Sequence, residues 1–337
     1  MLNHGGKLLE FANRYQIPAG DWLDLSTGVS PITYPVPEIP ETVWNRLPED
    51  DDGLELAAAN YYCSDQLLPI AGSQAAIQAL PELIATEHES LHVLLPSVGY
   101  KEHQHAWQMC KNTHCEFYQV EPSAEQLATA DVVLVINPNN PSTHKIDARE
   151  LEHWRKSLKP DALLVVDEAF MDMTPQASLL KLHGNNIPDN LIVLRSLGKF
   201  FGLAGLRVGF MFASLRWREA LKTILGPWAV SGPARYVAKH ALKNKSWQDS
   251  NRRTLIGLSE RMGDLLSQYF PHSEVTGQAL FWRVGSVQAK ELHHGLAQQG
   301  VLVRLTDEQD ALRFGLPQSE AHWQQLEQAL QNLGERQ

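Results

Sequence analysis

The sequence predicts an α/β protein whose large domain is built on a mostly parallel seven-stranded sheet, with a smaller α+β domain beside it. Three observations predict it. Short β-rich runs recur between Leu67 and Ala213. Several are continuous Val/Ile/Leu segments, as suits strands buried on both faces of a parallel sheet. Stretches with helical pattern separate them, so helices cover the sheet.

The predicted strands are, in order, LLPIA (67–71), LHVLL (91–95), CEFYQV (115–120), DVVLVI (131–136), ALLVVD (162–167), LIVLRS (191–196) and VGFMFA (208–213). Gln74–Ala85, Tyr100–Lys111 and Asp147–Leu158 read as the helices between them. Residues 231–268 form a long helical stretch with few breakers. The runs ALFWRV (279–284), VLVRL (301–305) and ALRFGL (311–316) then alternate with helical segments 286–299 and 318–334. The first 45 residues are rich in Pro and Gly and are expected to drape over the structure. The patterning thus divides the chain into a large domain, 46–230, and a small one made of 1–45 and 231–337. A chain of 337 residues suits this division, because single cores stop growing at around 250–300 residues.

Composition removes several function classes. The formal charge of −10 argues against a nucleic-acid surface, and an anionic substrate would need local cations to overcome the average field. Three cysteines, Cys63, Cys110 and Cys115, form no CxxC, so neither a disulfide framework nor a zinc site is expected, and a reducing cytoplasm fits. No apolar stretch approaches the roughly 18 residues that span a bilayer, and the first residues lack the pattern of a signal peptide. A soluble protein with no metal site and no membrane partner is expected.

In open α/β sheets ligands collect beyond the carboxyl ends of the strands, and four signals stand there. Gly72-Ser73-Gln74 opens a helix, where small residues let backbone N–H groups approach a phosphate. Asn137-Pro138-Asn139-Asn140-Pro141 is either a Pro/Asn turn or an amide held by prolines and aimed into the crevice. Asp167-Glu168 ends a strand, where an acidic pair binds a metal, caps a helix or serves a ligand. Ser196-Leu197-Gly198-Lys199 precedes Arg207 by eight residues. Phe200, Phe201 and Leu203 surround the lysine in sequence, and an apolar setting depresses an amine's pKa and makes it a nucleophile.

The ordered set of phosphate turn, Asn, Asp, SxxK and Arg, each after its own strand, resembles the fold-type I pyridoxal-phosphate enzymes of the aspartate aminotransferase superfamily. The resemblance implies pyridoxal 5'-phosphate as cofactor, held by Lys199 as a Schiff base. It implies that Asp167 pairs with the pyridine nitrogen, Asn140 bonds the phenolic oxygen and Tyr100 stacks on the ring. Gly72, Ser73, Gln74, Ser196 and Arg207 would hold the cofactor phosphate, and Arg313 would clamp a substrate α-carboxylate. It also implies a homodimer. Three positions depart from the superfamily pattern: Phe170 stands where a tyrosine is frequent, Asn140-Pro141-Ser142-Thr143 lacks the usual glycine, and Leu47 replaces a tyrosine that reaches the partner subunit's cofactor.

Within that superfamily, His4-Gly5-Gly6, Asp21 through Pro31, Arg46-Leu47-Pro48, Ala71 through Ile77, His105-Ala106-Trp107 and Phe314 through Pro317 resemble the threonine-phosphate decarboxylases of cobalamin biosynthesis. That likeness implies decarboxylation of a small phosphorylated amino acid. Its carboxylate would meet Arg313 and backbone near Gly28, and its phosphate would meet His4, the Gly5-Gly6 backbone and Arg304. The rivals are a histidinol-phosphate aminotransferase and a noncatalytic domain that senses pyridoxal phosphate; acidity disfavours the DNA-bound setting of the second.

Overall fold

The computed structural model describes residues 4–86 and 88–334. In chain order, α1 (Leu8–Tyr15), β1 (Leu23–Asp24), α2 (Glu41–Asn45) and α3 (Leu54–Tyr62) come first. Then follow β2 (Leu67–Ile70), α4 (Ser73–Ala85), β3 (Leu91–Pro96), α5 (Lys101–Met109), β4 (Thr113–Tyr118), α6 (Ala124–Thr129), β5 (Val132–Ile136) and α7 (Ala148–Ser157). Next come β6 (Leu163–Asp167), α8 (Leu179–His183), β7 (Leu191–Ser196), β8 (Gly209–Phe212), α9 (Leu215–Leu225), α10 (Gly232–Lys243) and α11 (Lys245–Tyr269). The chain ends with β9 (Val275–Gln278), β10 (Phe281–Gly285), α12 (Ala289–Ala297), β11 (Val301–Leu302), β12 (Arg304–Leu305), β13 (Ala311–Phe314) and α13 (Glu320–Gly334).

Two compact units result. The larger comprises Tyr34–Asn140 and His144–Trp247; the smaller comprises the described residues up to Thr33, Pro141–Thr143, and the stretch from Gln248 onward. The larger unit therefore takes in residues 34–45 and 231–247, which the sequence patterning assigned to the small domain. Ion pairs and rings explain why. Arg235 of α10 bonds Asp52 at 2.8 Å and Glu55 at 2.8 Å, and Tyr34, Phe201 and Trp247 pack ring against ring.

In the larger unit the strand order is β2-β8-β7-β6-β5-β3-β4 among the described residues. Only β8 runs against its neighbours, β2 and β7; the other pairs are parallel. Every residue of β5, β6 and β8 is buried, which is why those segments are apolar without alternation. The core lies where the inner face of α4 (Ala76, Ile77, Leu80, Ile84) meets Val93, Leu134, Val165 and Ile192. At the edge, β4 is only partly buried and starts two residues before the predicted run. One consequence of the strand directions matters for the site: β2, β3, β5, β6 and β7 all end at the same margin, and β8 begins there.

The smaller unit holds an antiparallel sheet, β12-β13-β10-β9, and a parallel pair, β1-β11. The run VLVRL splits at Val303 between the two sheets. The predicted helix over 231–268 breaks at Asn244, whose side chain accepts from the Trp247 N–H and starts α11. The N-terminal segment is more regular than a drape: Leu8–Tyr15 contain no Pro or Gly and form α1, whose Phe11 and Tyr15 pack on Trp22. No helix among the described residues is long and apolar enough to cross a membrane.

Candidate active site

The margin of the larger sheet gathers the predicted residues. Gly72 (φ 75°) turns the chain from β2 into α4 in a conformation that L side chains rarely adopt. A Cβ there would lie 2.9 Å from Arg207 Nη2, so the glycine leaves the space into which the guanidinium reaches. Arg207 is itself left-handed (φ 56°) and precedes β8. Ser196 stands in register with Gly209 across β7 and β8. A Cβ on Gly209 would lie 2.7 Å from the Ser73 backbone nitrogen, so α4 begins in backbone contact with β8. The first turn of α4 carries no acidic residue. Helix N–H groups, a hydroxyl residue and a guanidinium around a cleared space are the donor set for a phosphate dianion.

Asp167 ends β6 with 3% exposure. Its Oδ1 accepts from the Ala169 N–H at 2.9 Å, and its Oδ2 lies 2.8 Å from Nε2 of the equally buried His103. An ionised carboxylate only accepts, so His103 donates from Nε2. Each carboxylate oxygen keeps a second lone pair for a further donor. His103 was not singled out from the sequence; it sits in the first turn of α5, three residues after Tyr100, which caps that helix. The two rings meet edge to face, with centroids 6.3 Å apart.

Tyr100 is steadied further. Its hydroxyl donates to Gln74 Oε1 at 3.1 Å, and Gln74 Nε2 donates to Glu102 at 2.6 Å. The Gln74 side chain thus serves the ring of Tyr100, and its backbone lies in the first turn of α4. In the asparagine turn, Asn137 exchanges two hydrogen bonds with the backbone of Ile146 and Asn139 donates to the Val98 carbonyl. Those two hold the turn, with a cis peptide at Asn137–Pro138, and Asn140 is half-buried next to them.

Lys199 follows β7, with Nζ 5.4 Å from the centroid of the Phe170 ring. Phe200 and Phe201, next along the chain, are fully buried and pack on Trp247. The acidic pair also divides. Glu168 takes no ligand role: it bonds Arg195 at 2.8 Å and Ser178 at 2.5 Å, and Arg195 also bonds Asp172. Burial works against the charge of Arg195, but Asp172 and Glu168 outweigh it and raise the pKa. Among the described residues no cluster of His, Cys, Asp or Glu is placed to hold a metal.

The remaining predicted residues lie in the smaller unit. Arg313 on β13 is directly opposite Arg304 on β12 and Arg283 on β10. Like charges in cross-strand register repel, so such a row needs anions. Arg283 meets Asp310 and Glu274, and Arg304 meets Asp307 at 3.2 Å. Arg313 is 8% exposed and donates to the Ser26 carbonyl at 2.5 Å. Gly28 is buried two residues further along. His4, Gly5 and Arg304 line a cavity of about 350 Å³ together with Lys7, Arg14 and His293. Glu10 is the carboxylate of that lining, and it faces Lys7 at 3.5 Å and Arg14 at 3.1 Å. Burial lowers the His293 pKa against a raising contact with the Val303 backbone.

Comparison with known proteins places this arrangement. The family model described as aminotransferase class I and II matches residues 48–330. The chain is 46% identical to a threonine-phosphate decarboxylase of Pseudomonas aeruginosa, over 98% of this chain and 97% of that one. It is 36% identical to a threonine-phosphate decarboxylase of a Sinorhizobium species, over 98% of both. In fold it is similar to the histidinol-phosphate aminotransferase of Sinorhizobium meliloti solved with pyridoxal-5'-phosphate, with a TM-score of 0.79, 16% identity and coverage of 99% and 96% of the two chains.

Proposed function

The chain belongs to the class I and II aminotransferase family, and we propose that within it the chain is a pyridoxal-phosphate-dependent threonine-phosphate decarboxylase. It converts L-threonine O-3-phosphate to (R)-1-amino-2-propanol O-2-phosphate and carbon dioxide, the aminopropanol linker of the cobalamin nucleotide loop. The full-length likeness to proteins of that name supports the reading. The structural observation that carries it is that Arg313 lies opposite Arg304 in register while Arg304 lines a basic cavity, which suits a substrate bearing a carboxylate and a second anion.

The cofactor, pyridoxal 5'-phosphate, supplies an electron sink for the bond broken at the substrate α-carbon. The chain's own residues do the rest. Backbone N–H groups of Gly72, Ser73 and Gln74, the Ser196 hydroxyl and the Arg207 guanidinium would hold the cofactor phosphate. Asp167 would keep the pyridine nitrogen protonated, with His103 holding its carboxylate in place. Asn140 would donate to the phenolic oxygen and Tyr100 would cover the ring face. Lys199 would hold the cofactor through its aldehyde carbon, and its Nζ would carry a proton to the substrate α-carbon. In the smaller unit Arg313, with backbone near Gly28, would orient the substrate carboxylate. His4, the Gly5-Gly6 backbone and Arg304 would take its phosphate.

The protein is proposed to work in the cytoplasm as a homodimer, with no nucleic-acid or membrane partner. Trp44, Leu47 and Trp228, exposed apolar side chains of the larger unit, suit a subunit contact. The test is to incubate the cofactor-loaded protein with L-threonine O-3-phosphate, without a keto acid, and follow carbon dioxide and aminopropanol phosphate. Turnover that disappears in Lys199→Ala is the expected result. Absence of carbon dioxide, with conversion of the cofactor to its amine form by histidinol phosphate, would overturn the decarboxylase reading in favour of an aminotransferase.

A further inference from the structure

The segment Leu25–Thr27 of the smaller unit lies between two stretches of backbone that approach it unusually closely. On one side, Gly315 donates its N–H to the Leu25 carbonyl at 2.7 Å, and a Cβ on Gly315 would lie 2.6 Å from the Thr27 carbonyl oxygen. On the other, a Cβ on Gly5 would lie 2.3 Å from the Ser26 carbonyl oxygen. Only glycine fits either position without displacing backbone. The N-terminal strap and the end of β13 are thus packed against the same three residues.

Ser26 is where the two meet chemically. It is 2% exposed. Its carbonyl oxygen accepts from Arg313 Nη2 at 2.5 Å. Its hydroxyl accepts from the Gly6 N–H at 2.8 Å and donates to Asp24 Oδ1 at 2.6 Å, while Asp24 also accepts from the Ser26 N–H at 2.9 Å. Asp24 is fixed in turn by β1, in register with Leu302 of β11. One residue therefore ties the guanidinium of Arg313 to the strap that carries His4, and all these groups lie within one compact unit. Ser26 also lines the basic cavity with His4 and Arg304.

We propose that Ser26 is a positioning residue for substrate selection: through its carbonyl and its hydroxyl it holds the carboxylate-binding arginine and the phosphate-binding strap at one fixed separation. The proposal rests on the reading of Arg313 and His4 as carboxylate and phosphate ligands. A ligand bearing both anions at the right spacing then gains from both, and a ligand bearing the carboxylate alone gains from Arg313 only. Removing the hydroxyl frees the strap but leaves the Ser26 carbonyl, and hence Arg313, in place.

The experiment uses the cofactor-loaded full chain and two probes, L-threonine O-3-phosphate and L-threonine, with dissociation constants read from the cofactor's absorbance change. In Ser26→Ala, affinity for the phosphorylated probe should fall roughly tenfold, the worth of about one well-placed hydrogen bond, and affinity for L-threonine should change by less than about threefold. Gly5→Ala, whose methyl group would meet the Ser26 carbonyl oxygen, displaces the strap with the Ser26 hydroxyl intact and should again weaken the phosphorylated probe more than L-threonine, so the test stands even if one variant folds poorly. Equal weakening of both probes in both variants would show a purely structural role and overturn the proposal, as would unchanged binding of both. Wild-type protein that binds the two probes equally would instead sink the underlying substrate reading, and the proposal with it.

Discussion

At the scale of single residues, the clearest addition to what the motifs indicated is His103. A buried carboxylate needs donors, and Asp167 has two: a backbone N–H and the His103 ring, at 2.9 and 2.8 Å. A hydrogen bond to a charged group is worth about 1.5–3 kcal/mol, so His103→Ala should weaken cofactor retention by roughly 10- to 100-fold. Asn in its place keeps a donor and should recover part of that loss. Equilibrium dialysis of the cofactor against both variants reads the difference, and retention unchanged in His103→Ala would count against the role. The motif residues themselves were legible because each stands at a strand end, where the backbone alone decides position. His103 was not, because its partner is 64 residues away and only the packing of α5 on the sheet brings them together.

At the scale of elements, the contact between α4 and β8 decides the shape of the phosphate cradle. In Gly209→Ala the new methyl group would lie within 2.9 Å of backbone atoms of Ser73, Arg195 and Gly72, and backbone cannot yield as a side chain can. The start of α4 must then move off β8, lowering both thermal stability and cofactor affinity, whereas Gly20→Ala, which meets nothing within 4 Å, should leave both unchanged. Arg195 on β7 makes a second test. It is buried between Glu168 and Asp172 with its guanidinium 4.7 Å over the Tyr62 ring. Arg195→Ala leaves two buried carboxylates facing each other, a loss of about 3–5 kcal/mol from breaking one such buried arrangement. Denaturant unfolding should show a shift of that size, and a shift under about 1 kcal/mol would mean that the carboxylates find water.

At the scale of the whole molecule, each unit carries a histidine whose pKa the fold lowers. Burial lowers the pKa of His293 in the smaller unit, and burial with neighbouring Arg155 and Lys156 lowers that of His183 in the larger, against the pull of Glu152. The unfolded chain takes up protons at these residues near 6.5, where the folded chain resists them. Stability should therefore be level above that pH and fall as pH drops below it. Glu152, held at about 2 by its bond to Arg155 against burial, contributes the same sign at lower pH: its stabilisation is present above about 4.5 and lost as pH falls through about 2. Melting temperatures measured between about pH 7.5 and pH 5 check the histidine effect, which His293→Gln should reduce. A melting temperature constant over that range would refute it.

The sequence by itself determined the α/β class, the strands of the larger sheet and the ordered polar set at their ends, because buried parallel strands must be continuously apolar and ligand groups must follow them. Only the tertiary structure decided the boundaries of the two units, the break of the long helical stretch at Asn244, and the separate fates of Asp167 and Glu168. It also decided which ring faces Lys199 and how Ser26 joins Arg313 to the N-terminal strap. Those outcomes depend on partners distant along the chain, whose meeting is fixed by packing and hydrogen-bond satisfaction and leaves no local periodicity to read.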